Sequence, residues 1–82
     1  MQPAVSSIQK LLRQKLNIYP DTLTLKTELK RDLQLVDWEM LYLLNAVEQA
    51  WQISIPPADS DNIVQIGELL AVVKKQRSSQ LH

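Results

Sequence analysis

Apolar residues near the start of the chain recur at helical spacing. Ile8, Leu11, Leu12 and Leu16 fall on one stripe, behind a Ser6-x-x-Gln9 sequence that has the form of a capping box. This predicts a first helix over residues 3–16. Between Asn17 and Val36 the period is lost: Tyr19-Pro20-Asp21 marks a turn, and Leu23, Leu25, Leu29, Leu33 and Leu35 recur without a steady helical spacing. A connection of that length in a small chain is unusual, so it reads as a loop pinned to the core by leucines, with a helical turn near Thr27 to Asp32. A strong second helix is predicted over residues 37–51, ending before Ser54-Ile55-Pro56-Pro57 because proline cannot continue a helix. Residues 59–63 predict a short third helix. Ile66, Leu69, Leu70 and Val73 define a last one, with Lys74, Lys75 and Arg77 placed to complement its C-terminal dipole. Residues 1–77 then form one helical domain, and 78–82 a polar, disordered tail. No strand pattern, repeat or low-complexity segment competes with this reading.

The second helix divides into two faces when residues are set about 100° apart. Met40, Leu43, Leu44, Ala46, Val47, Ala50 and Trp51 fall in one broad arc, the natural core face. Trp38, Leu41, Tyr42 and Asn45 fall in another, beside Asp37, Glu48 and Gln49. Trp and Tyr are favoured as interface anchors, which makes Trp38, Leu41 and Tyr42 a candidate protein-binding patch. The blander arrangement folds Trp38 back under the long loop and leaves Tyr42 a surface aromatic; the residues alone leave both open. For Asp37 the plain role is a helix N-cap, its carboxylate accepting the free N–H groups of the first turn for ~1 kcal/mol.

The stretch from Asp32 to Trp51 resembles the core motif of the acyl carrier protein family, in which Asp-Leu-Gly-x-Asp-Ser-Leu leads into an apolar helix closing on Phe. Asp32-Leu33 falls on the family's Asp-Leu and Trp51 on the closing Phe. Leu16-Asn17-Ile18 falls on the Leu-Gly-Val that ends the first helix, and Ile55-Pro56 on the Ile-Pro after the second. Ile63 and Ile66 match the apolar pair around the start of the last helix, with no gap from Gln14 to Val73. Each match is weak alone; the unbroken spacing over about sixty residues carries the resemblance. It implies an all-α, acyl-carrier-protein-like four-helix bundle with a long loop between helices 1 and 2 and a short helix 3. It also implies that partner enzymes dock on the second helix, at Asp37, Trp38, Leu41 and Tyr42.

The departures bear on chemistry. Gln34 stands where the family has glycine, and Val36-Asp37-Trp38 where it has Asp-Ser-Leu. Asp37 therefore occupies the position of the serine that carries the phosphopantetheine arm. A one-residue slip places Trp38 there instead, and neither register supplies a hydroxyl. Attachment needs an alcohol oxygen that attacks the pyrophosphate of coenzyme A and leaves a stable phosphodiester; a carboxylate yields only a labile acyl phosphate. Ser6, Ser7, Ser54, Ser60, Ser78 and Ser79 are expected to lie away from the start of the second helix. No cofactor is expected. Asp37 instead offers a fixed negative charge where a carrier presents its phosphate. Tyr42 replaces a usual glutamate, so the acidic ring of typical carriers is thin.

Composition narrows the remaining classes. With nine basic and nine acidic residues in 82, the net charge is zero, so no strong field draws the chain to nucleic acid or to an anionic membrane. Lys26, Lys30 and Arg31 before the second helix reverse the acidic loop of typical carriers, although such charges are most often simply solvated. No cysteine is present, and the single His82 is the last residue. There is no glycine-rich loop, Gly67 standing alone, and no carboxylate pair at metal-ligand spacing, so neither a metal site nor catalysis is expected. The longest apolar runs fall far short of the ~20 residues that span a bilayer. No signal peptide is seen in the first fifteen residues, and a cytoplasmic location is the expectation. The favoured reading is a non-carrying protein-interaction module related to fatty acid or polyketide biosynthesis. The alternative is a genuine acyl carrier protein of lipid or secondary-metabolite biosynthesis, with its serine substituted or its acyl groups held non-covalently. A small helical nucleic-acid binder is disfavoured by the charge.

Overall fold

The computed structural model describes residues 3–79, and it contains four helices in the expected order: α1 Val5–Leu16, α2 Asp37–Trp51, α3 Pro57–Ser60 and α4 Ile66–Ser79. The core is built from one face of each long helix. Ile8 and Leu12 of α1, Leu43 and Val47 of α2, and Ile66, Leu69 and Val73 of α4 are fully buried together with Leu29 of the loop. On α2 the buried residues are Met40, Leu43, Leu44, Ala46, Val47 and Trp51, with Ala50 half-buried. That is the arc the helical period selects.

Helix ends follow local chemistry that the residue pattern assigned differently. The α1 N-cap is Ala4, which offers no side-chain acceptor, and Ser6 lies inside the first turn, so the Ser6-x-x-Gln9 capping box does not form. The C-terminal end is left-handed: Asn17 has φ 57°, and the N–H groups of Asn17 and Ile18 return to the Leu12 carbonyl. Helix α2 ends in the same way at Gln52, φ 54°, with Gln52 and Ile53 both donating to Glu48 O. The third helix begins at Pro57 rather than at residue 59, because proline at the first helical position presets φ and gives up an N–H that would have no helical partner. Ser78 and Ser79, expected in the tail, continue α4. Residues 80–82, including His82, lie outside the described residues.

The long loop is held by side chains and by backbone. Leu29 and Leu35 are buried, Leu23 and Leu33 are half-buried, and Leu25 is exposed, so four of the five leucines act as pins and one does not. The expected turn is present: Asp32 and Leu33 donate to Glu28 O, and the Asp32 carboxylate accepts the Glu28 N–H at 2.8 Å. The loop is also laced to the segment entering α4. Leu29 N–H donates to Val64 O at 2.9 Å, Ile66 N–H to Thr27 O at 2.9 Å and Gly67 N–H to Leu25 O at 2.8 Å, around an isolated antiparallel bridge between Glu28 and Gln65. Gly67 permits that approach, since a Cβ there would stand 3.1 Å from Leu25 O. The loop that leads to α2 is thereby held against the segment that enters α4.

Candidate functional site

The head of α2 is shaped by a reversal just before it. Gln34 takes φ 56°, in the left-handed region, and lets Leu35 turn inward with its N–H on Leu29 O at 3.2 Å. Val36 is then extended, φ −86° and ψ 170°, and it is the N-cap. Its carbonyl accepts from Met40 N–H at 3.0 Å, and its N–H donates to the Glu39 carboxylate at 2.9 Å. Valine has no acceptor for the return bond, so only the Glu39 half of a capping box operates. Asp37 is therefore the first helical residue and not the N-cap that its chemistry suggested. Its carboxylate turns outward and accepts from Lys30 Nζ at 3.0 Å, with the two side chains 93% and 63% exposed. An ion pair that open contributes about 0–1 kcal/mol.

Two shallow grooves flank Leu41. The first, about 480 Å³, has an apolar floor of Met40, Leu44 and Ile63 and a charged rim that includes Asp37, Lys30 and Arg31. Ser60 also lines it, correcting the expectation that this serine lies away from the start of the second helix. Helix α3 folds back toward α2, and the Ser60 hydroxyl donates to Pro57 O at 3.1 Å. The second groove, about 510 Å³, lies between α1 and α2 and is lined by Lys15, Trp38, Leu41, Tyr42, Asn45, Ala46 and Gln49. Trp38 is 62% exposed, Leu41 64% and Tyr42 47%. Trp38 does not fold under the loop. Trp38, Leu41 and Tyr42 are gathered on one groove, while Asp37 belongs to the other and shares Leu41 with it.

The acidic residues near this face are mostly committed. Besides Glu39, Glu48 is half-buried and accepts the Ile55 N–H at 2.8 Å, which ties the chain after α2 back to the helix. Glu68 accepts the N–H groups of Gln65 at 2.7 Å and Val64 at 2.9 Å; these bonds, the Gln65 one first, hold its carboxyl below the usual range. Among the basic residues, Arg31 lies 3.7 Å from Glu28 and Lys75 3.9 Å from Asp59. Exposed Val36 and Val64 add apolar surface near the head of α2 that no residue pattern had marked, and Lys15 enters from α1. No group of three metal-ligating side chains occurs among the described residues, and none of the helices described is long and apolar enough to cross a membrane.

The chain is a four-helix bundle with a long, laced first connection and a short third helix. The structure matches that of an acyl carrier protein from Thermotoga maritima, solved at 2.00 Å resolution, with a TM-score of 0.84 over 92% of this chain and 87% of that one, at 15% sequence identity. The fold is thus the acyl-carrier fold. No protein-family model matches the chain, and no curated protein matches it in sequence.

Proposed function

We propose that this chain is an acyl-carrier-like interaction module that carries no phosphopantetheine arm and docks a protein partner through α2, in a fatty acid or polyketide synthesis setting. One feature supports the reading: Asp37, paired with Lys30 in the first turn of α2, is the residue that the resemblance sets at the position of the hydroxyl that takes the arm. Without that oxygen no stable phosphodiester forms, and what remains at the head of α2 is a fixed carboxylate beside an exposed aromatic patch. Trp38, Leu41 and Tyr42 act as its anchors. The test is incubation with coenzyme A and a phosphopantetheinyl transferase, followed by intact mass measurement. The expected result is no change, and a gain of one phosphopantetheine sinks the reading.

A second reading is favoured by the first groove. Its floor of Met40, Leu44 and Ile63 suits an acyl chain held non-covalently, in a carrier that uses no arm. Displacement of a fluorescent fatty acid from the native chain, lost in Leu44→Gln, would favour it; no probe binding would remove it.

A further inference from the structure

Every charged side chain on α1 is positive. Lys10, Arg13 and Lys15 are its ionised residues, and no Asp or Glu precedes Asp21 in the chain. Arg13 lies over the Tyr19 ring, 5.5 Å from its centroid. Lys10 and Lys15 are exposed and make no ion pair among the described residues. Both border the seam between α1 and α2. The groove that gathers Trp38, Leu41 and Tyr42 adjoins a further one, about 270 Å³, through shared Lys15, Ala46 and Gln49, and this continues the seam past Leu11 and Ala50 to Lys10. Among the described residues no carboxylate lines either groove. Those of α2 are committed elsewhere: Asp37 to Lys30, Glu39 to the Val36 N–H and Glu48 to the Ile55 N–H. The seam is thus an apolar strip with two unpaired cations on its α1 edge.

We propose that the seam takes an acidic amphipathic helix of a protein partner, its apolar stripe on the floor and its carboxylates against Lys10 and Lys15. This rests on the reading of α2 as the docking face and names the partner's chemistry. A partner without acids would cover the two ammonium groups and leave them with neither water nor counterpart, and a basic one would add repulsion. An acidic partner meets both charges. The length of the strip selects a helix: Trp38 to Ala50 spans twelve residues, about 18 Å of rise, which matches about three turns of a helix laid alongside. Lys10 and Lys15 are five residues apart, about 7.5 Å of rise, so glutamates at i and i+4 on the near edge of the partner, about 6 Å apart, reach both. The amides of Gln14, Asn45 and Gln49 supply further donors to the same carboxylates. Nucleic acid fits the strip poorly, because a phosphate backbone is held by charge all along its length and here two lysines border an apolar floor.

Fluorescence anisotropy of a labelled peptide titrated with the full chain tests the proposal. The probe is a helical peptide of about fifteen residues, with leucines at i, i+3, i+4 and i+7 and two glutamates four residues apart beside that stripe. Its twin carries glutamine for each glutamate. The glutamate peptide should bind with a dissociation constant below about 1 mM, and the twin at least about threefold more weakly. Raising salt from about 0.05 to about 0.5 M should remove the difference. Lys10→Glu with Lys15→Glu should weaken the glutamate peptide at least about tenfold, whereas Lys26→Glu, the same charge change at an exposed position outside the seam, should change it less than about twofold. All three lysines are exposed, so each variant should keep the helical circular dichroism of the native chain. Equal binding of the twins, binding that survives the double reversal, or no binding of the glutamate peptide at about 1 mM overturns the proposal, as does binding of an oligonucleotide or of anionic vesicles in its place. Trp38→Ala with Tyr42→Ala reads the α2 face by itself. Peptide binding that survives it sinks the docking face, while binding that it abolishes and the lysine reversals spare sinks the acidic partner alone.

Discussion

Replacing Gln34 by glycine should stabilise this protein, and the size of the gain follows from its backbone. Gln34 sits at φ 56°, where the Cβ of an L residue crowds the following carbonyl at a cost of about 1–2 kcal/mol. Glycine escapes that cost and gives back about 0.5–1 kcal/mol through the greater freedom of the unfolded chain. The net expectation for Gln34→Gly is a gain of roughly 0.5–1 kcal/mol, which for a chain of this size raises the melting temperature by about 2–8 °C. Gln52→Gly, at φ 54°, should gain a similar amount. Asn17→Gly should be close to neutral, because asparagine tolerates the left-handed region. The internal control is Gln49→Gly, in the exposed interior of α2, which should lose about 0.5–1 kcal/mol. Urea unfolding followed by circular dichroism measures all four. If Gln34→Gly is no more stable than the native chain while Gln49→Gly loses its expected share, the reversal before α2 is not in the left-handed conformation. The register that sets Gln34 on the family's glycine then loses its main structural support.

Leu43→Ala, fully buried in α2, should cost about 2–5 kcal/mol, whereas Leu41→Ala two residues earlier should stay within about 0.5 kcal/mol; equal effects in a thermal melt would mean the helix faces are wrongly divided. The double variant Trp38→Ala and Tyr42→Ala should keep the native melting curve and lose partner capture in a pull-down; unchanged capture would move the interface off α2. The Glu68 carboxyl is held below its ordinary value, so its ionised form stabilises the fold above that value, 4.5, and the contribution falls away as pH drops through the lowered folded value. Relative to Glu68→Gln, the native chain should therefore hold a constant advantage above pH 4.5 and lose it progressively below; a gap that widens on acidification would contradict the sign.

What the residue pattern made legible was whatever repeats. The core arc of α2 and the stripe Ile66, Leu69 and Val73 of α4 could be read because burial on a helix is periodic. The resemblance added the architecture. Local chemistry misled at helix starts: Ser6-x-x-Gln9 and Asp37 both have the right composition for caps, yet caps depend on where the backbone leaves the extended region. At α2 that point is Val36, set by the turn at Gln34. The lacing of residues 25–29 to 64–67 was invisible for a different reason. Its bonds join main-chain N–H and C=O groups, which every residue carries, so no side-chain pattern announces them.

The conformation at the head of α2 does not depend on the side chain at residue 37. The position before α2 is held by Leu29 and Leu35 in the core, by the left-handed turn at Gln34 and by Glu39 on the Val36 N–H. None of these uses the side chain at residue 37, which points to solvent and contributes through one open ion pair. The head of α2 therefore places no structural demand on a hydroxyl there, and a carboxylate is accommodated at little cost. The carboxylates that do matter to folding are Asp32, Glu39, Glu48 and Glu68, each bound to backbone N–H groups. The charge that α2 turns toward solvent is thereby reduced to Asp37 and its lysine, and the rest of its exposed face is apolar, aromatic or amide.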